Sequence, residues 1–163
     1  MSKSRWKESQ TVRDLVPDDT VVQPLKATTR AAAVAELVDA LVVIGAIEVG
    51  KERGVREAIL AREDVASTGL GNGIALPHAK SKFSPRLGLA VGLSEEGIDI
   101  GAHDQIPAFV FLLWVCPPNA TQEHLALMRG FALIARDANL AGQLAACKER
   151  RSLFSFFESV SVE

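Results

Sequence analysis

One segment of the chain, residues 108–115, constrains the fold more than any other. Its sequence, AFVFLLWV, is apolar throughout. A short apolar run of this kind, rich in aromatic and β-branched residues, is typical of a strand that is buried on both faces. Such a strand needs a layer of structure above it and another below it. We therefore predict a central strand in a layered domain.

Apolar periodicity and turn signals predict the other elements. Predicted strands are residues 20–25, 74–78 and 87–93, and predicted helices are residues 28–43 with Thr28 or Thr29 as N-cap, 52–61, a helix N-capped by Thr121, 139–148 and 152–159. We expect Leu125, Met128, Ala132 and Ala135 to face inward from the helix after Thr121. Residues 94–107 are predicted to be a turn-rich connector. Helices before and after a group of strands indicate a layered α/β domain.

Length and composition limit the classes of protein to consider. The 163 residues can bury one core, so we assign residues 1–14 to a polar leader and residues 15–160 to a single domain. The formal net charge is −2 with both signs interspersed, which indicates neither a nucleic-acid partner nor an anionic membrane surface. Cys116 and Cys147 form no CxxC pair, and no apolar stretch is long enough for direct membrane insertion. We expect a cytoplasmic protein.

A glycine-rich loop follows the second predicted helix. Residues 62–80 read REDVASTGLGNGIALPHAK, and the glycines allow positive φ angles and a close approach of the backbone to an anion. A dinucleotide fingerprint is disfavoured because a helix precedes these glycines and a strand follows them, and a P-loop is disfavoured because there is no G-K-[ST]. A tight turn that needs positive φ is the structural alternative. The predicted phosphate-loop residues are Ser67, Thr68, Gly69, Gly71, Asn72 and Gly73.

His78 is the candidate nucleophile of this segment. It follows Pro77, which fixes φ and stiffens the chain at that point. An imidazole is largely neutral near pH 7, so one ring nitrogen has a free lone pair for attack on phosphorus. The other ring nitrogen needs a hydrogen-bond acceptor, either a backbone carbonyl or a carboxylate. The pattern therefore predicts phosphoryl chemistry at His78.

Two further residues are expected to support that chemistry. Charge in a phosphoryl-transfer transition state spreads over the equatorial oxygens, so catalysis needs donors aimed at them. Arg62 offers a charged fork that matches phosphate oxygens. His124, in the first turn of a predicted helix, is favoured as a neutral imidazole that orients His78 or donates to the phosphoryl group.

A metal site is the competing prediction from the same histidines. His78, His103 and His124 are enough ligands for a zinc ion in principle, which would make the protein a metal-dependent hydrolase. No two of them have the short local spacing that marks metal sites. We therefore predict no metal site.

Two separated blocks carry a family resemblance. The first holds Arg62-Glu63, Ser67-Thr68-Gly69, Gly71-Asn72-Gly73-Ile74-Ala75 and Pro77-His78, and the second is FVFLLWVCPP followed by His124-Leu125 and a helix. They resemble the IIA proteins of the bacterial phosphoenolpyruvate-dependent sugar phosphotransferase system, fructose/mannitol class, and especially the nitrogen-regulatory branch. The similarity runs from about residue 15 to the final helix.

The resemblance implies a fold and a function. The fold is a three-layer α/β/α sandwich around a small mixed sheet. His78 accepts a phosphoryl group from an HPr-type phosphocarrier protein and passes it to a IIB domain or uses it to regulate a target protein, with Arg62 and His124 at supporting positions. No metal or organic cofactor is expected. Since no permease accompanies the domain, we expect regulation rather than transport.

Some residues depart from the family pattern. Leu76, Ala79 and Asp64 are mild exchanges that remove no group needed for chemistry. Trp114 and Cys116 stand in the central strand where small or aliphatic residues are more usual. The alternative function is a non-catalytic protein-interaction module with the same fold, as in the cytoplasmic domains of anion transporters.

Overall fold

The apolar segment at 108–115 forms a strand with partners along both edges. The structure, a computed structural model, describes residues 11–65 and 69–162. A short 3-10 helix, Val12–Leu15, precedes the elements. The strands are β1 (Val21–Pro24), β2 (Gly69–Gly71), β3 (Ile74–Ala75), β4 (His78–Lys80), β5 (Gly88–Ile98) and β6 (Ala108–Cys116), and the helices are α1 (Arg30–Val43), α2 (Glu52–Val65), α3 (Thr121–Ala135), α4 (Ala138–Ala145) and α5 (Arg150–Ser159).

The sheet is mixed, as predicted. β5 lies antiparallel to one edge of β6, and β1 adds in parallel to β5. β3 and β4 lie parallel to the other edge of β6, and β2 pairs antiparallel with β3. β6 is thus the central strand.

β3 and β4 are two halves of one strand. Ile74 is paired with Val110, and His78, four residues later, is paired with Trp114, four residues later on β6, so the register does not change. Pairing pauses between the halves because Pro77 has no N–H to donate to the ladder. The predicted strand 74–78 is therefore divided and extended to Lys80.

Alternate residues of β6 face two separate cores, because side chains alternate across a strand. Val110, Leu112 and Trp114 belong to a core with α3, α4, α5 and the 3-10 helix. Phe111 and Leu113 belong to a core with α1 and α2. The architecture is the expected three-layer α/β/α sandwich around a small mixed sheet.

Several predicted boundaries were wrong. β5 continues to Ile98, through part of the predicted connector, because an irregularity after Leu93 lets pairing resume between Ile98 and Ala108. α2 extends beyond the predicted end at residue 61. These errors lie at ends of elements, where local signals are weakest.

α3 also differs from its prediction. Its N-cap is Ala120 and no side chain caps it, while the Thr121 hydroxyl accepts a hydrogen bond from Lys80 Nζ at 3.3 Å. Leu125 is 59% exposed instead of facing inward. The buried stripe runs through Leu127 and Phe131. None of the helices in the two described ranges is both long and apolar enough to cross a bilayer.

Candidate functional site

His78 is the first residue of β4 and is almost completely buried, at 2% exposure. Its Nδ1 lies 2.7 Å from the backbone oxygen of Leu76. A carbonyl oxygen only accepts, so Nδ1 carries the proton and Nε2 of the neutral ring holds the lone pair. Nε2 is buried, and no residue that the structure describes donates a hydrogen bond to it. The ring thus presents an unused nucleophilic nitrogen.

The Leu76 carbonyl can accept the hydrogen bond from His78 because Leu76 lies between β3 and β4, where the pairing with β6 is interrupted. Alternate residues of a parallel strand bond to one neighbour, and Pro77 bonds to β6, its oxygen accepting from Trp114 N at 3.1 Å. The carbonyl of Leu76 therefore points away from β6. β2 pairs only with β3, up to Ala75, and does not reach it. Of the two acceptors that the sequence left open, the structure has the backbone carbonyl.

The environment keeps His78 neutral. Burial lowers the pKa of His78 from 6.5 to about 4; the Leu76 hydrogen bond opposes this shift, and the charges of Arg62 and His124 add to it. At pH 7 the imidazole is therefore almost entirely unprotonated, which is the state a nucleophile needs.

His124 faces His78 from the first turn of α3. The two ring centroids are 5.1 Å apart. Nδ1 of His124 accepts a hydrogen bond from Trp114 Nε1 at 3.0 Å. Burial lowers the pKa of His124, with further lowering by Lys80 and Arg62. The neutral ring therefore carries its proton on Nε2.

Trp114 contacts both imidazoles. It pairs with His78 across β4 and β6, and the two rings are stacked with centroids 4.5 Å apart and planes 7° apart. Phe131 packs on it at 5.7 Å from the helix side. From the sequence, Trp114 was noted only as an unusual residue in the central strand. Its contact with His78 was not predicted, because a single sequence does not show which residues pair across a sheet.

Two cations act on the histidines. Arg62 lies exposed in the last turn of α2, and its charge lowers the pKa of both rings. Lys80 was not predicted. It follows His78 by two residues on β4, so it projects from the same face, and its charge acts on His124. Its spacing of two residues from His78 on a strand could have predicted that both side chains lie on the same face of the sheet.

The loop residues have a clear structural role. Asn72 and Gly73 join β2 to β3 with φ angles of 57° and 79°, the geometry of a type I′ hairpin turn. The Asn72 N–H donates to Asp104 Oδ2 at 2.7 Å, and its side-chain amide donates to Ala135 O at 2.8 Å. Asn72 thus has both of these donors engaged within the protein.

For the other predicted phosphate-loop residues, the structure shows less about their contacts. Gly71 has a φ of 97°, and a Cβ there would lie 2.7 Å from Asp104 Oδ2. Gly69 begins β2. Ser67 and Thr68 lie outside the described residues. Phosphate contacts by these loop residues stay predictions.

The zinc alternative finds no support in the described ranges. There, no three His, Cys, Asp or Glu side chains are grouped closely enough to hold a metal ion. His103, exposed in the segment between β5 and β6, does not join His78 and His124.

The sandwich and its two facing imidazoles among cations define a class of protein suited to phosphoryl transfer. The chain belongs to the family described as phosphoenolpyruvate-dependent sugar phosphotransferase system, EIIA 2, which matches residues 14–160. It is accordingly related to phosphotransferase components.

Two relatives show the range of the family. A nitrogen regulatory protein from Bradyrhizobium diazoefficiens is 30% identical over 146 residues, covering 88% of this chain and 92% of the relative. The fructose-specific EIIABC component of Bacillus subtilis is 31% identical over 127 residues, covering 77% of this chain and 20% of that longer protein.

Solved structures share the fold. Nitrogen regulatory protein IIA-Ntr from Neisseria meningitidis superposes with a TM-score of 0.77 at 22% identity, covering 90% of this chain and 98% of that one. IIA mannitol of Escherichia coli, solved in complex with phosphorylated IIB mannitol, gives a TM-score of 0.71 at 20% identity, covering 88% of this chain and 96% of that one. At these identities the likeness shows the fold alone.

Proposed function

We propose that this protein is a phosphohistidine carrier in which Nε2 of His78 accepts a phosphoryl group from an HPr-type phosphocarrier protein. The observation that carries the proposal is the hydrogen bond from Nδ1 to the Leu76 carbonyl, which leaves a neutral ring with its lone pair on Nε2. Membership of the EIIA 2 family supports it.

The step is a displacement at phosphorus. The bond from His78 Nε2 to phosphorus forms as the bond from the donor's imidazole to phosphorus breaks, and that electron pair returns to the donor ring. Nδ1 keeps its proton, so the phosphorylated ring gains positive charge that the Leu76 carbonyl stabilises. Arg62, Lys80 and Nε2–H of His124 are the groups that offset negative charge on the phosphoryl oxygens.

The phosphoryl group then has two possible uses. A IIB-type acceptor is supported by the structural relative solved with phosphorylated IIB mannitol. Regulation of a target protein is supported by the relatives named nitrogen regulatory protein. We propose regulation as the main output, through target surfaces that distinguish the charged phosphorylated form from the free form.

The test is intact mass after incubation with phosphoenolpyruvate, enzyme I and an HPr-type carrier. Wild type should gain one acid-labile phosphoryl group, and His78→Ala should gain none. His103→Ala is the matched control, because His103 is an exposed histidine away from the site, and it should behave as wild type.

Two outcomes contradict the proposal. A phosphoryl group that persists in His78→Ala places the modification elsewhere. If wild type stays unmodified with a panel of HPr-type donors while a known IIA protein in the same tube is modified, the chain is instead the non-catalytic interaction module.

A further inference from the structure

We infer that Trp114 is a positioning residue of this site: its indole N–H holds His124 in the tautomer protonated on Nε2, and its ring face holds the imidazole of His78 in plane. The inference deepens the proposed function and rests on it for the transfer step. Its structural part concerns the unmodified protein and is testable without any transfer.

The tautomer follows from the chemistry of the indole. Trp114 Nε1 is a donor with no lone pair to offer, and it lies 3.0 Å from Nδ1 of His124. A proton on His124 Nδ1 would point at the indole N–H of Trp114, and the two donors would repel each other. The contact therefore favours the His124 tautomer that carries its proton on Nε2. Phosphoryl oxygens accept hydrogen bonds and do not donate them. His124 can therefore assist only through the N–H that this tautomer provides.

The environment of Trp114 distinguishes this role from simple core packing. The side chain is fully buried in the layer between the sheet and α3. A buried indole N–H needs a partner. Among the residues the structure describes, its side-chain partner is the second imidazole of the site, so Trp114 and His124 satisfy each other.

The ring face adds a second constraint. His78 and Trp114 are direct partners in the sheet register, and their rings are nearly parallel at 4.5 Å. The Leu76 carbonyl fixes the His78 ring within its plane, while the indole limits its tilt out of that plane. Together they hold Nε2 in one direction, so that its lone pair is already oriented for in-line attack on the phosphorus of the donor.

The test separates the N–H from the aromatic face. Trp114→Phe keeps an aromatic ring beside His78 and removes the donor. Long-range ¹H–¹⁵N spectra of the imidazole nitrogens identify each tautomer in the unphosphorylated protein. Wild type should show His124 protonated on Nε2 and His78 on Nδ1. In Trp114→Phe, His124 should become a mixture of tautomers, while His78 stays unchanged.

Phosphoryl transfer is the second readout. Removing a well-placed donor costs roughly 10²- to 10³-fold in rate, and here the donor is loosened rather than removed, so we expect a loss of about tenfold. Phe131→Leu is the control, because it alters packing against Trp114 and leaves the indole N–H in place. It should keep the His124 tautomer and most of the rate.

A second substitution covers the case in which Trp114→Phe does not fold. Because the sequence has two tryptophans, Trp6 is first changed to Phe, and Trp114 is then replaced by benzothienylalanine, which keeps the size of the indole and has sulfur in place of N–H. The same two changes are expected. An unchanged His124 tautomer in either variant overturns the inference, and so does an equal loss of rate in Phe131→Leu. If wild type accepts no phosphoryl group but shows His124 protonated on Nε2 and His78 on Nδ1, the proposed function is overturned. The inference that Trp114 orients the two imidazoles would then still hold for the unmodified protein.

Discussion

The two imidazoles of the site hold their protons on different nitrogens. His78 donates from Nδ1 to a carbonyl, while His124 accepts at Nδ1 from an indole. One ring therefore offers a lone pair and the other an N–H, although both are neutral histidines with lowered pKa values. The proposed roles of nucleophile for His78 and donor for His124 thus depend on the neighbour of each Nδ1.

Lys80 provides a test of the electrostatics at the residue scale. Its charge lowers the pKa of His124, so Lys80→Gln should raise that pKa towards the ordinary value of 6.5. The same change removes a cation from the proposed phosphoryl site and should slow transfer by roughly tenfold, which is less than the 10²- to 10³-fold loss for a fixed, buried donor because Lys80 is exposed. An NMR titration of His124 and single-turnover transfer measure the two effects.

Lys82→Gln is the matched control for this prediction. Lys82 is an exposed lysine two residues beyond Lys80, outside β4, where its ammonium lies over Phe83. It should change neither the pKa of His124 nor the rate. Equal effects of the two substitutions would mean that only the net charge of the protein matters.

At the scale of elements, close contacts between layers limit what the strands tolerate. Gly88 begins β5, and a Cβ there would lie 2.3 Å from the Cβ of Ala46, in the segment after α1. Ala46 is fully buried, and its Cβ is not the far end of a flexible side chain, so it does not move aside cheaply. The α1 layer approaches the sheet closely at this point.

Gly88→Ala should therefore destabilise the protein by about 1–3 kcal/mol, the usual cost of overpacking. Gly142→Ala is the same substitution in α4, where a Cβ meets nothing within 4 Å, and it should stabilise by about 0.5–1 kcal/mol through helix propensity. Urea denaturation measures both. A Gly88→Ala protein as stable as wild type would show that the layers separate easily.

The elements were largely predictable, and the site only in part. The central strand, α1 with its Thr29 cap and the nucleophile candidate follow from local patterns that the fold preserves. Leu125 was misplaced because α3 offers apolar residues on more than one side, and only tertiary packing selects among them. Trp114 reaches the site through pairing between strands, which a single sequence does not reveal. Lys80 was missed because the predicted strand ended at residue 78, two residues too early.

For the whole molecule, burial of a titratable histidine lowers the stability of the fold in acid. Because the pKa of His78 is lowered in the folded protein to about 4 from 6.5, the unfolded chain binds more protons between these two values. The free energy of unfolding is therefore unaffected by His78 titration above pH 6.5, and it decreases as pH falls from 6.5 towards 4. The same burial that keeps His78 unprotonated at pH 7 thus favours unfolding in acid.

His78→Gln should therefore lose less free energy of unfolding than wild type when pH falls from 7 to 5. Other groups titrate in this range as well, so the difference between the two proteins is the quantity to measure, by urea denaturation at each pH. His103→Gln, at an exposed histidine, should follow wild type. Parallel pH profiles for wild type and His78→Gln would contradict the lowered pKa.

The acceptor that orients His78 belongs to the main chain. Exchange of the Leu76 side chain leaves its carbonyl in place, so the orientation of the His78 ring is kept by any residue at position 76 that follows the same backbone path. Position 114 is different, since one base change can delete the indole that orients His124. Substitutions of the Leu76 side chain should therefore leave phosphoryl transfer nearly unchanged, whereas substitutions of Trp114 that still fold should slow transfer without abolishing it.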